Sequence, residues 1–258
     1  MTAQRSRLAF TRDISPAIVH CELTHLERVA IDVEVARTQH ECYERALSEL
    51  GCRVHRLAAG DDMPDSVFIE DAAIVFGELA IVTRPGASSR RLEIPAVARA
   101  LADHRLLHDI VAPGTLDGGD VLVSSRRVFV GSSGRTNAAG IDQLRRILTP
   151  FGYTIEAIDV TACLHLKSAV STVADGVLLI NRAWVDASRF GAFDLIDVDP
   201  SEPSAANALP IDEAVIFPSE YPRTAERLRA LGLHVHAVPA SELAKAEGGV
   251  TCCSLILD

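Results

Sequence analysis

Apolar positions along this chain fall into two periods that alternate from end to end. Spacings of three and four residues, carried by good helix formers, occupy 33–50 behind Asp32, then 90–103, 136–149 and 221–231, and predict helices there. A short β-rich run follows each: CRVHRLA after Gly51, RLLHDIV after His104, YTIEAIDV after Gly152 and LHVHAVP after Gly232. FDLIDVD at 193–199 reads as a fifth such run, behind a shorter, poorer helix near 185–191. The glycine ahead of three of these runs is a natural helix stop, because the left-handed conformation that ends a helix costs glycine nothing.

After each run comes a polar turn and a second apolar stretch: VFIEDAAIVFGELAIVTR, DVLVSSRRVFVG, SAVSTVADGVLLIN, EAVIFP and the terminal VTCCSLIL. Two of these contain hairpin turns, at Gly77–Glu78 and Asp175–Gly176. The order helix, strand, hairpin therefore repeats about five times at roughly 50-residue intervals, the range of propellers and arrays. A doubly wound sheet also alternates strands and helices, but a ring accounts for the two ends. VTCCSLIL has no following hairpin partner and SRLAFTR no preceding helix, so the termini can complete one unit by pairing. DPSEPSAANALP at 199–210 is short enough for a surface loop, and a single domain over 1–258 is the simpler expectation.

Polar residues that interrupt apolar context fall at one place in this repeat, the start of the first hairpin strand. Glu70 and Asp71 lie there in one unit, Asp117 and Asp120 in the next, then His165, Asn207 and Cys252. Equivalent positions in a ring converge on its axis, so a thiol, an imidazole and several carboxylates far apart in sequence would share one site, as cysteine catalysis requires. Each has a plainer reading. Cys252 and Cys253 taken alone fit buried core thiols, although Gly248 and Gly249 before them allow close backbone approach to a ligand. Strand alternation would send the two cysteines to opposite faces, leaving one for a site. His165 can be an ordinary satisfied histidine, and Asp117 in LDGGD a turn residue. Glu70–Asp71 after VFI is harder to explain, since adjacent carboxylates in an apolar strand force at least one inward, where it needs a partner. Arg90 and Arg135 follow PGASS and GSSG and open helices, where a cation opposes the macrodipole and a ligand role is favoured.

Composition narrows the chemistry. The 48% hydrophobic content of 258 residues supports a substantial core. The net charge of −10 argues against nucleic acid and fits a small cationic partner. No stretch approaches the roughly 20 apolar residues of a membrane span, and MTAQRSRLAF lacks a signal-peptide core, so the expected compartment is the cytoplasm. Six irregularly spaced cysteines read as reduced thiols. There is no GxGxxG, phosphate loop or dedicated His/Cys metal spacing, and neither cofactor nor metal is expected.

DSVFIEDAAIV, IVTRPGASSRRLE, TLDGGDVL, VFVGSSGRTN, LHLKS, AAN, SEYP and GGVTCCS, in this order from about Arg12 to Leu257, resemble the dimethylarginine dimethylaminohydrolases of the guanidine-modifying pentein superfamily. The resemblance implies an α/β fold, a five-bladed propeller of ββαβ-type units around a central active site. It implies hydrolysis of methylated arginine to citrulline and an alkylamine through a covalent thiouronium, without cofactor, by a monomer or homodimer. Carried over residue by residue, Cys252 is the nucleophile, His165 the general acid and base, and Asp117 its orienting partner. Asp71 and Glu70 bind the guanidinium and Phe68 packs beside its plane. Asp65 meets the α-amino group, and Arg90 and Arg135 the α-carboxylate. Ile18 falls where the family has a lid leucine, and Ala246 where a larger aliphatic residue lines the pocket. A deiminase or hydrolase of another guanidine, or a non-catalytic pentein binding protein, stands as the alternative.

Overall fold

The computed structural model describes residues 7–258. In chain order its strands and helices are β1 (Leu8–Arg12), α1 (Val33–Glu49), β2 (Arg53–Leu57), β3 (Ala73–Val75), β4 (Leu79–Val82), α2 (Ile94–Ala102), β5 (Leu106–Asp109), β6 (Val121–Ser124), β7 (Arg127–Ser132), α3 (Ala138–Leu148), β8 (Thr154–Asp159), α4 (Leu166–Ala169), β9 (Val170–Ala174), β10 (Val177–Ile180), β11 (Asp194–Asp197), β12 (Leu209–Ile211), β13 (Ala214–Pro218), α5 (Pro222–Ala230), β14 (His234–Val238), α6 (Ser241–Ala244) and β15 (Leu255–Leu257). The strands form five sheets of three, β15-β1-β2, β3-β4-β5, β6-β7-β8, β9-β10-β11 and β12-β13-β14. In every sheet the first pair is antiparallel and the second parallel. A parallel neighbour needs a crossover, which α1, α2, α3 and α5 supply; in the fourth blade the 3-10 turn Ala187–Phe190 does so alone. The termini pair as expected, with Leu8 opposite Leu257 and Phe10 opposite Leu255.

Alternation along each middle strand explains why this closes into a ring. Leu8 and Phe10 on β1 face one apolar cluster with Val97 and Leu101 of α2, while Ala9 between them faces another with Tyr43 and Leu47 of α1. Val128 and Val130 pack with Leu144 of α3, and Phe129 against Phe190 of the next blade. Leu179 and Phe217 meet Leu228 of α5. Both faces of each blade are thus buried against neighbours, and the core is five lobes between blades. The axis, where the blades' leading ends meet, is left to polar side chains.

The helix stops fall where glycine was expected, with Gly51, Gly152 and Gly232 at φ of 89°, 80° and 84°. Two expectations needed correction. The helix over 90–103 begins as a 3-10 turn, Ser88–Glu93, so Arg90 lies in that turn ahead of α2. Cys252 and Cys253 lie in another 3-10 turn, Thr251–Cys253, and the strand starts only at Leu255. They do point apart, but because a 3-10 turn rotates each residue a third of a turn from the last. Among the described residues no helix is long and apolar enough to cross a membrane.

Candidate active site

Four of the five blades bring a short helical turn to the axis, and these turns carry the polar residues, while the β12-β13-β14 blade brings Asn207 on a loop. Ile69–Ala72 presents Glu70 and Asp71, Gly118–Asp120 follows Asp117, His165 caps α4, and Thr251–Cys253 presents Cys252. The turns are stapled together by side chains. Asn207 binds the Thr251 N–H through Oδ1 at 3.0 Å and donates to Thr251 Oγ1 at 3.0 Å and the Lys167 carbonyl at 3.1 Å. Thr251 Oγ1 donates to Glu70 Oε2 at 2.9 Å, and Lys167 Nζ meets Glu70 Oε1 at 2.5 Å. The nucleophile's turn is therefore fixed by groups from three other blades.

Asp117 and His165 are both buried, with His165 Nε2 3.1 Å from Asp117 Oδ2. Asp117 Oδ1 accepts the Gly86 N–H at 2.9 Å, which fixes the carboxylate as it fixes the ring. The other ring nitrogen, Nδ1, lies 3.9 Å from Asp71 Oδ1. Asp71 also accepts the Gly119 N–H at 2.8 Å and an Arg90 Nη1 contact at 2.5 Å. Burial disfavours charge on His165, but Asp71, Asp117 and Asp120 outweigh it and lift its pKa to about 9. Burial likewise opposes ionisation of Asp71, yet the charges of His165 and Arg90 hold it down at about 2. For Cys252, burial and then the negative charges of Glu70 and Asp71 push the thiol up to about 12, against a 3.3 Å hydrogen bond from the Gly249 N–H. The resting centre is thus a neutral thiol beside an imidazolium among carboxylates.

A cavity of about 10 Å³ joins these groups, walled by Asp65, Phe68, Asp71, Arg90, Arg135, His165, Ala246 and Cys252 together with Glu22, Leu164, Glu247 and Gly248. Absent β-carbons shape it. A Cβ on Gly248 would lie 2.1 Å from Phe68 Cε1, and one on Gly119 would lie 2.5 Å from His165 Nδ1 and 2.9 Å from Asp71 Oδ1. Gly119→Ala is therefore expected to displace the imidazole and lower kcat on the order of 10²-fold with the far-ultraviolet dichroism unchanged, since small misplacements of a catalytic group cost about that much. Steady-state kinetics beside the dichroism spectrum checks it.

Three of the expected residues, Ile18, Arg90 and Glu70, are engaged differently from their assigned roles. Ile18 is wholly buried on the 3-10 turn Pro16–His20 in the apolar lobe with Phe68 and Ala246, and does not line the cavity; Glu22, further along the same segment, does. Arg90 lines the cavity but is only 5% exposed, and it donates to Asp71, to both oxygens of Glu93 and to the carbonyls of Asp65 and Phe68. Its guanidinium therefore serves Asp71 first. Arg135 is freer, donating to Thr24 Oγ1 at 3.2 Å. Glu70 reaches Lys167 and Thr251 but is not part of the cavity wall. Glu22, Leu164, Lys167, Thr251 and Glu247 carried no signal of their own in the sequence. Asp71, Asp117 and His165 each offer one ligand atom within 4.8 Å of the others, and these atoms are engaged with one another, with Gly119 and with Arg90.

A five-bladed ring with a cysteine, a histidine and paired carboxylates at its axis defines the class, a guanidine-modifying pentein. No family model matches the chain. It is similar to the N(G),N(G)-dimethylarginine dimethylaminohydrolase of Streptomyces coelicolor, with 40% identity over 98% of this chain and 97% of that protein. The enzyme of the same name from Pseudomonas aeruginosa is 36% identical over 87% of this chain and 89% of its own. The chain belongs to the dimethylarginine dimethylaminohydrolase family. The solved structure of the Pseudomonas aeruginosa enzyme, a cysteine-to-serine mutant complexed with citrulline, superposes with a TM-score of 0.92 over 97% of this chain and 98% of that one, at 33% identity. The N-terminal domain of a cyanobacterial arginine dihydrolase shares the fold, with a TM-score of 0.88 at 18% identity.

Proposed function

We propose that this protein hydrolyses N-omega-methylated arginine to citrulline and methylamine or dimethylamine, with Cys252 as nucleophile. The observation that carries the reading is the convergence of Cys252, His165 and Asp71 on one cavity that also holds groups for an amino-acid end, with Asp117 bonded to His165 from behind. The curated relatives bear the name of this activity.

The guanidinium would settle against Asp71, whose carboxylate is held ionised, with Phe68 beside its plane. Glu70 adds negative charge behind the nucleophile. Asp65 and Arg135 would meet the α-amino and α-carboxylate groups, since an arginine fork grips a carboxylate with two parallel bonds. Arg90 holds Asp71 and completes the positive end. A bound cation offsets the carboxylates that keep the Cys252 proton on, so the substrate itself favours the thiolate, and the thiol proton leaves to solvent. Sulfur then attacks the guanidinium carbon, and His165 gives its proton to the departing alkylamine, leaving a thiouronium on Cys252. His165, now neutral, takes a proton from water as its oxygen attacks the same carbon. Collapse releases citrulline and regenerates the thiol. Six free cysteines fit a reducing cytoplasm.

The test is citrulline release from asymmetric dimethylarginine, monomethylarginine and arginine measured side by side. Turnover of both methylated substrates with kcat/KM at least about tenfold above arginine is expected, since one or two methyl groups in a fitted pocket are worth that much. Preference for arginine would replace the proposal with a deiminase.

A further inference from the structure

The substrate cavity has a much larger neighbour. Leu164, Glu247, Gly248 and Cys252 wall both the cavity of about 10 Å³ and a second one of about 380 Å³. We infer that this second cavity is an alkylammonium site, which takes up the methylamine or dimethylamine released at Cys252 and so clears the thiouronium for water; the inference rests on the reaction proposed above. In that reaction His165 gives its proton to the amine and later takes one from water, so the two molecules stand at the same ring in turn. The first has to leave before the second can take its place, and the space that adjoins Cys252 is this cavity.

Its wall suits a small organic cation. Trp184 and Tyr221 line it, and aromatic walls are how proteins hold methylated ammonium groups. Glu220 and Glu247 supply negative charge, and among the described residues no lysine or arginine shares the wall. Both carboxylates are oriented by backbone donors, which fix them without cancelling their charge. Glu220 accepts the Ala240 N–H at 3.1 and 3.3 Å, and Glu247 accepts those of Thr24, His25 and Leu26. The aromatic residues are fixed too. Trp184 donates its N–H to the Asn181 carbonyl at 3.1 Å, and Asn181 is tied to the Pro203 carbonyl at 2.8 Å. Tyr221 stands edge-on to Phe217, with ring centroids 6.3 Å apart. Trp184 follows β10 and Tyr221 follows β13, so the site is assembled, like the centre, from more than one blade.

The transfer needs no further reactant. The amine leaves the carbon with the electron pair of the broken C–N bond and the proton of His165, as a neutral molecule, and takes a second proton from solvent to become the ammonium. The thiouronium left behind is itself cationic, so it repels the ammonium while Glu220 and Glu247 attract it. Affinity is low, because a ligand of so few atoms binds no tighter than about millimolar, and that suits a product on its way to solvent.

Trp184 is the one tryptophan of the chain, so its fluorescence reports this cavity without reference to turnover. Dimethylammonium chloride is expected to change Trp184 emission saturably, beyond the effect of sodium chloride at equal ionic strength and of isopropanol, an uncharged molecule of the same shape. Saturating citrulline, the product assigned to the substrate cavity, should leave the Kd within about twofold, as for independent sites. Glu220→Gln keeps an acceptor for the Ala240 N–H but loses the charge, and should weaken binding about threefold, the loss of one partly exposed charge pair. The dimethylammonium concentration that half-inhibits dimethylarginine turnover should rise by the same factor. No response, an equal response to isopropanol, a response abolished by citrulline or a Kd unchanged in Glu220→Gln overturns the site. Binding without inhibition of turnover overturns its part in the reaction. A response that meets every expectation in a protein that turns over no methylarginine would keep the alkylammonium site and remove the reaction assigned to the centre.

Discussion

Cys252→Ser is expected to lower citrulline release by at least about 10³-fold with the ring still folded, because a serine hydroxyl in this setting lacks both the acidity and the nucleophilicity of a thiol. Cys253→Ser should behave oppositely. Cys253 is 1% exposed and packs in the lobe containing Tyr43, and its sulfur reaches the Gly249 carbonyl at 3.5 Å. A hydroxyl there is expected to cost about 1–3 kcal/mol of stability, as burial of an imperfectly paired polar group does, while turnover survives at temperatures where the variant is folded. Thermal unfolding of both variants, beside their kinetics at low temperature, separates the two roles. The contrast is sharp because adjacent residues of one 3-10 turn are sent to the site and to the core.

The second large effect is on pH. With Cys252 near 12 and His165 near 9, the reactive pair of thiolate and imidazolium reaches only on the order of 10⁻³ of the free enzyme at its plateau above about pH 9, and is about a hundredfold scarcer at pH 7. Below about pH 9 the resting centre carries one proton more than the reactive form. The value of kcat/KM, which reports the free enzyme, should therefore rise about tenfold per pH unit from neutrality and level off near pH 9, where His165 begins to lose its own proton. Ultraviolet thiolate absorbance, taken as the difference from Cys252→Ser, should likewise show no Cys252 thiolate at pH 7. A kcat/KM flat from pH 6 to 8, or a thiolate band at neutrality, would mean that the carboxylates do not hold the proton as described.

Much of this was readable in the chain because the ring is built by repetition. Strand alternation at Leu8, Ala9 and Phe10, and glycines at 51, 152 and 232, state the blade and its stop, and the repeat then places Asp71, Asp117, His165 and Cys252 at equivalent axial positions. What escaped the sequence is whatever depends on which groups meet across the ring. Lys167 is an unremarked basic residue until Glu70 is found 2.5 Å away, and Glu247 an ordinary glutamate until three N–H groups from residues 24–26 close on it. Arg90 illustrates the converse. A cation early in a helical segment signals a ligand, but here its guanidinium meets Glu93 and Asp71 inside the protein. Ile18 was read by resemblance at a lid position, but the 3-10 turn carrying it points it into the core.

The covalent step is the claim on which the rest depends. Rapid acid quench of the enzyme during turnover of dimethylarginine, followed by peptide mass spectrometry, is predicted to show the thiouronium adduct on Cys252 and none on Cys253. Turnover with no adduct on Cys252, or an adduct carried by Cys253, would contradict the account.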